Sequence, residues 1–438
     1  MRLAAPLRVL SLLGLAALLA GCALDRNQET LARYHAEGRY DAAAKLLDDP
    51  DVQENYGVRS RTLWLLERGA VALANGDRDK TVEVLNTAEV RIARQRRTAL
   101  DNIGQWTIND RTAPYQAAPH EDMYVNVIKM LAHLEAGVIY NGASVEARRY
   151  IDKTQYLRQW SDAMFKATGD SVPGGEDKRA QLRSDAPAEF IESPLGTFLA
   201  AVTFMREGKA EFQRVAALRL DETIQRQGSL IGAVKPESFE GLAERQPAPG
   251  QLLVVALSGR APTKHAERIP PLLFGDVPIY FEIPVLSGYS AQVGAADLEF
   301  DTGERVSLDL IELTGRVAEE NYKRMLPAIY TRAFLRAAAK SAAATVATRA
   351  VTDSNDDLRW LMRLAGLGMI VASERADLRT WIMLPARADG ALLEIPAGAS
   401  RARIVYRAPG GATLHTTEWT EVAPEARDLT TIVTHYWR

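Results

Sequence analysis

The feature that most limits how this chain can fold is a change of hydrophobic period at residues 228–250. Before it, apolar residues recur every three or four positions; after it, they alternate or fall in short unbroken runs. A period near 3.6 gathers apolar side chains on one face of a helix, whereas a period of 2 gathers them on one face of a strand. Helices therefore come first and strands second, an α+β chain. Pro236, Pro247 and Pro249 mark 229–250 as a linker between a helical domain at 30–228 and a β-rich domain at 251–438.

Within the first half, Tyr34, Gly38, Tyr40, Ala43 and Leu47 fall where a tetratricopeptide-like hairpin puts its packing and turn residues, and Trp64, Leu65, Gly69, Ala72 and Gly76 repeat the pattern. Val82, Leu85, Ala88 and Ile92 give the next helix an apolar stripe, ending in a basic cluster of Arg91, Arg94, Arg96 and Arg97. Pro119 with Glu121 and Asp122 opens another helix, whose stripe is Met123, Val127, Met130, Leu131 and Leu134. Ser193-Pro194 starts a last hairpin, with Leu195, Phe198, Leu199 and Val202 before the turn at Gly208 and Phe212, Val215 and Leu218 after it as its packing residues. Residues 169–185 read as a polar loop outside the core. Such an array offers a concave binding face.

In the second half, strands are expected at 251–257, 278–285, 380–384, 391–395, 402–406 and 429–436, with a hairpin turning at Asp301-Thr302-Gly303. This is a sandwich-like pattern. It is interrupted at about 316–374 by a helical hairpin of 318–350 and 358–372; Arg363 and the short apolar run of the second helix favour a buried hairpin over a membrane span.

The N-terminus says where the chain is sent. Arg2 and Arg8 precede an apolar run from Val9 to Ala20, a secretory leader at 1–21 too short to span a bilayer. Leu19-Ala20-Gly21-Cys22 resembles a bacterial lipobox, which implies cleavage before Cys22, acylation of Cys22 and a durable multi-chain anchor, followed by a tether at 22–29. Ala23 rather than Asp after the cysteine implies the outer membrane. Cys22 is the only cysteine, so no internal disulfide can form and packing must hold the fold. Without Arg2 and Arg8, 51 basic residues face 56 acidic ones. That balance gives nucleic acid no basic surface to find.

Enzyme signatures are missing. His35, His120, His133, His265, His415 and His435 include no pair at the spacing of a zinc protease, and neither a Gly-x-Ser-x-Gly elbow nor a Gly-rich phosphate loop occurs. No cofactor or metal site is expected. Glu121 and Asp122 as neighbours on a helix point apart, against a shared acid–base role. Ser258 to Lys264, polar and basic directly after a strand, is the best pocket candidate, with Arg260 and Lys264 able to clamp a phosphate or carboxylate. Arg379 beside Trp381 could stack on a sugar.

Taken in order, Tyr115 with His120-Glu121-Asp122, Glu146-Ala147-Arg148-Arg149, Leu257 to Lys264, Arg332-Ala333 with Arg336 and Lys340, and Asp377 to Trp381 through Leu384-Pro385 resemble a family of bacterial outer-envelope lipoproteins with a tetratricopeptide-like N-terminal half. The family has no established activity; its members are often encoded beside other small lipoproteins, including ones resembling activators of penicillin-binding proteins, which implies a role in cell-wall or envelope assembly. Tyr115, Glu121, Asp122, Arg148, Arg149, Arg260, Lys264, Arg379 and Trp381 are the binding candidates. The expectation is a non-enzymatic, lipid-anchored scaffold on the periplasmic side of the outer membrane that holds a protein partner. A glycan- or peptidoglycan-binding module in the β-rich half is the alternative, and a hydrolase of such polymers a weaker third.

Overall fold

A computed structural model describes residues 24–101, 113–169, 172–232, 236–274, 277–288, 292–351 and 375–437. The leader at 1–21, Cys22 and the second insertion helix at 358–372 lie outside the described residues.

The mixed α+β order, helices before strands, is as expected. Helix α1 covers 24–36, and α2 (Tyr40–Asp48), α3 (Pro50–Tyr56), α4 (Arg61–Ala74), α5 (Arg78–Asp101), α6 (Pro119–Glu135), α7 (Ser144–Gly169), α8 (Glu176–Ser184), α9 (Pro194–Glu207) and α10 (Ala210–Ile231) follow. A π turn, Ile139–Ala143, joins α6 to α7. Three antiparallel hairpins, α4–α5, α6–α7 and α9–α10, stand side by side. One turn chemistry recurs. Gly38, Gly76, Gly137 and Gly208 all have φ between 70° and 78°, and at each the glycine N–H bonds the carbonyl three residues back while the next N–H bonds the carbonyl five back. Glycine adopts this left-handed closure without Cβ strain, so the chain leaves one helix ready to begin the next.

The strands are β1 (Gln251–Ser258), β2 (Thr263–Phe274), β3 (Val277–Ser287), β4 (Ala295–Phe300), β5 (Arg305–Ser307), β6 (Asp309–Glu312), β7 (Arg387–Glu394), β8 (Arg401–Arg407), β9 (Thr413–Thr416), β10 (Thr420–Glu421) and β11 (Thr430–Tyr436), with the long helix α11 (Thr314–Val351) between β6 and β7. They form a mixed sheet ordered β11-β1-β7-β6, a second sheet ordered β10-β8-β4-β5 with β9 beside β8, and the hairpin β2–β3. β1 is parallel to β11 and antiparallel to β7.

β1 shows how the layers stack. It is buried along its whole length, and its alternate residues enter different cores. Leu253, Val255 and Leu257 join α4, α6 and α9 in the main core; Leu252, Val254 and Ala256 face Leu298, Phe300, Ile404 and Tyr406 of the second sheet. Period-2 alternation thus sends one strand's side chains to two layers. Nearly every residue of α4, α6 and α9 is buried. The inner helix row, where a repeat array would hold a partner, lies against the chain's own sheet.

Five expectations change. Phe212, Val215 and Leu218 of α10 are 49%, 44% and 53% exposed, and Gln213, Ala216, Ala217 and Leu220 pack inward instead. The apolar stripe there marks the solvent face. Residues 380–384 form no strand, because that stretch is engaged by α6 and the main core. Strand β2 was not expected, since Pro270 and Pro271 argue against pairing; the ladder skips both at a bulge between Ile269 and Leu272. The 169–185 segment contains α8, whose Leu182 packs with Val172 under the β2–β3 hairpin. The 229–250 stretch is itself packed: Phe239 and Leu242 sit in the main core, the Phe239 ring lies 5.2 Å from that of Phe198, and Gln213 donates to the carbonyls of Leu242 and Arg245.

Candidate functional site

Tyr115, Glu121, Lys264, Arg379 and Trp381 meet at the N-terminus of α6. Pro119 at the first helical position lacks an N–H exactly where none is needed, and Glu121 two residues on turns back to accept from the Ala118 N–H at 2.6 Å. The same oxygen accepts the Tyr115 hydroxyl at 2.6 Å. Its other oxygen accepts the Trp381 N–H at 2.8 Å and the Thr380 hydroxyl at 3.2 Å. Burial by itself would raise the Glu121 carboxyl; the Lys264 ammonium and these donors outweigh it and hold the group below the ordinary carboxylate value. The charge pushes back on its neighbour: burial and Glu121 drive the Tyr115 hydroxyl well above its usual value. Burial also lowers His120 to about 4, with Lys264 adding to the effect against Glu121.

Around this carboxylate the cations are committed. Lys264 Nζ donates to the Arg379 carbonyl at 2.8 Å and lies 5.9 Å from the Tyr115 ring centre. The Arg379 guanidinium forks onto Asp377 at 2.8 and 2.6 Å and reaches Ser60 Oγ at 3.2 Å and the Ala113 carbonyl at 3.0 Å. These bonds stitch the stretch after α11 to α6 and to the loop before α4. Trp381 is 1% exposed within the main core, so its ring is closed to any sugar.

The other candidates lie apart. Asp122 pairs with Arg96 at 3.1 Å and Lys153 at 2.9 Å. Arg148 forks onto Glu207 at 2.6 and 2.7 Å, and Arg149 pairs with Glu146 at 2.8 Å. Arg260 is exposed on the β1–β2 loop, while Lys264 Nζ turns to the Arg379 carbonyl. Arg96, expected in a basic patch, is buried, bonded to the Ala117 carbonyl and stacked 4.9 Å from Trp160.

Sequence reading missed two buried networks. Gln28 of α1 donates to Glu67 of α4 at 2.9 Å and to the Thr380 carbonyl at 3.4 Å, while Tyr56 also donates to Glu67; burial raises Glu67 to about 7, against these donors and with the help of the Glu121 charge. Fully buried Lys129 pairs with Glu89 at 2.7 Å and Glu146 at 2.6 Å, and Lys153 with Glu89 at 2.7 Å. The signal existed: a Glu within Leu63-Trp64-Leu65-Leu66-Glu67 and a Lys within Val127-Ile128-Lys129-Met130 both interrupt runs destined for burial.

Beside the stitch opens a cleft of about 180 Å³, against roughly 10–15 Å³ for one water on the same measure. It is lined by Ala113, Pro114 and Gln116 to Pro119, by Trp160 and Met164 of α7, by Tyr322, Met325, Ala328, Ile329 and Arg332 of α11, and by Lys264, Pro284 and Asp377. Among the described residues no group of three His, Cys, Asp or Glu side chains could hold a metal ion, and no helix is long and apolar enough to cross a membrane. Comparison with family models, curated proteins and solved structures returns no match to this chain.

Proposed function

We propose that this chain is a lipid-anchored scaffold on the periplasmic side of the bacterial outer membrane, with Cys22 as the acylated residue and the helical half as a tetratricopeptide-like array that holds a protein partner. The lipobox-like Leu19-Ala20-Gly21-Cys22 supports the anchor. What carries the partner reading is the apolar strip Phe212, Val215 and Leu218, which a helix with a satisfied solvent face would not display. Because the inner helices are covered by the sheet, the partner is received on the outer row, not in a concave groove.

In-cell photocrosslinking from positions 212, 215 and 218 tests this. One discrete envelope protein should be captured at all three, and capture should fail in Leu218→Glu and in Cys22→Ala. No capture, or capture indifferent to the anchor, sinks the scaffold reading.

A second reading, glycan binding by the sandwich-like β half, is favoured by Trp419. It is 36% exposed on the outer sheet, with Arg403 4.5 Å and Arg401 5.6 Å from its ring centre, the aromatic-and-cation surface that sugars stack upon. Peptidoglycan pulldown lost in Trp419→Ala would establish it; pulldown unchanged by that substitution would remove it.

A further inference from the structure

The α4–α5 hairpin carries two guanidiniums that no carboxylate answers. Arg61 opens α4; its Nη1 donates to Gln53 Oε1 at 3.2 Å and its Cζ lies 3.8 Å from the centre of the Trp64 ring. Arg91 of α5 donates from Nε to Thr62 Oγ1, beside Arg61, at 3.2 Å. Both acceptors are neutral, and among the described residues neither cation forms an ion pair; the exposed acids of the adjoining helices, Asp25, Glu29 and Glu54, pair with neither. Burial first and the like charge of Arg91 second hold the Arg61 guanidinium below its ordinary value. Arg59, exposed in the loop before α4, adds a further cation. Each guanidinium carries more N–H donors in a planar fork that matches phosphate oxygens.

Position and surroundings say what answers these charges. Gln28 stands six residues after Cys22, a reach of at most about 20 Å, and donates to the Thr380 carbonyl. Arg379, one residue earlier, donates to Ser60 Oγ, next to Arg61. The attachment residue and the guanidinium pair are therefore neighbours. Val58 and Val90, beside the cations in the chain, are 84% and 51% exposed. Cations interleaved with bare aliphatic groups suit the boundary between headgroups and acyl chains, whereas free phosphate would leave both valines in water. The chain is acidic overall, so an anionic membrane repels most of it and draws in this face.

We propose that Arg61 and Arg91 dock the phosphate headgroups of anionic phospholipid in the leaflet that holds the Cys22 anchor. The inference rests on the anchored reading and fixes which face of the scaffold meets the membrane.

The test uses the full chain, with acylation of Cys22 verified by intact mass and a fluorophore on Thr87→Cys, one turn before Arg91. Acylation consumes the native cysteine, so that thiol is the single free one. The protein is placed in vesicles of phosphatidylglycerol or of phosphatidylcholine, each doped with a headgroup-attached quencher. Quenching should be stronger in phosphatidylglycerol and should fall to the phosphatidylcholine level at about 1 M salt, where charges are screened within about 3 Å. An arginine at an anionic surface favours contact about five-fold, so Arg61→Gln with Arg91→Gln should lower the docked-to-undocked ratio about thirty-fold at a parental thermal midpoint. If that double variant does not fold, Arg91→Gln alone should lower the ratio about five-fold. Acylated protein quenched equally in the two membranes, or quenched regardless of the arginines, would overturn this proposal alone and leave the pair to an acidic protein. An unacylated Cys22 would sink the anchored reading and this inference together.

Discussion

Glu121→Gln removes one charge from the stitch without changing its volume. The carboxylate accepts four donors, two on each oxygen: the Tyr115 hydroxyl and Ala118 N–H on one, the Trp381 N–H and Thr380 hydroxyl on the other. An amide offers one oxygen and one NH₂. With the oxygen toward Trp381 and Thr380, the NH₂ meets the Ala118 N–H, and a buried donor loses its acceptor at about 1–3 kcal/mol. The surviving bonds fall from charge-assisted strength (about 1.5–3 kcal/mol each) to neutral strength (about 0.5–1.5 kcal/mol), and the nearby Lys264 ammonium loses an opposite charge that helped hold the carboxyl ionised. No cavity opens to add to this, so the expected loss is about 3–4 kcal/mol, set against a net stability of roughly 5–15 kcal/mol. Urea unfolding at pH 7.5 should show the midpoint moving down, and hydrogen exchange should speed up in the peptide holding Thr380 and Trp381. A variant with parental midpoint and parental protection there would refute the idea that Glu121 ties α6 to the stretch after α11.

Three further outcomes rest on separate packing and charge features. A Cβ at Gly69 would lie 2.5 Å from Leu85, which is fully buried and cannot yield, so Gly69→Ala should cost about 1–3 kcal/mol in spite of alanine's better helix propensity; a thermal midpoint equal to or above the parent's would contradict the close α4–α5 approach. His435 is buried with both ring nitrogens unbonded and burial lowers it to about 3. The unfolded chain takes up that proton near pH 6.5, so the associated stability is complete above pH 6.5 and erodes as pH falls toward 3, by about 2 kcal/mol at pH 5; the urea midpoint of His435→Leu should therefore respond less to acid than the parent's between pH 7.5 and 5, and parallel pH profiles would refute this. Glu312 has the opposite sign: burial raises it to about 8, only partly offset by the Leu195 N–H, so its contribution is complete below pH 4.5 and lost as pH rises through 8. Glu312→Gln should gain on the parent by a few kcal/mol across that window, and a pH-independent difference would show that the carboxyl is not held neutral.

Helix turns and the strands at 251–258, 277–287, 401–407 and 430–436 were legible because each is governed by local chemistry, glycine at a left-handed turn or alternation along a strand. Phe212, Val215 and Leu218 were misread for a related reason. Period tells which residues share a helix face, and here Gln213 with Ala216, Ala217 and Leu220 shares the buried one; small and polar residues were chosen where α10 packs closely. Likewise, Asp-Leu-Arg-Thr-Trp at 377–381 has an alternating pattern, but its backbone N–H at Trp381 is taken by a carboxylate 260 positions earlier. A side chain brought from that distance competes with strand pairing, and no window of sequence contains both partners.

The sequence by itself determined the order of helices before strands and the single cysteine that rules out an internal disulfide, since each follows from composition or short-range periodicity. Only the tertiary structure decided what the residues around Glu121 are for. Tyr115, Glu121, Lys264 and Arg379 spend their hydrogen bonds on one another and on the backbone, the inner helix row is covered by β1, β7 and β11, and the cleft is assembled from α7, α11 and the chain entering α6. Burial and charge pairing are properties of a place, and that place exists only once segments more than a hundred residues apart have come together.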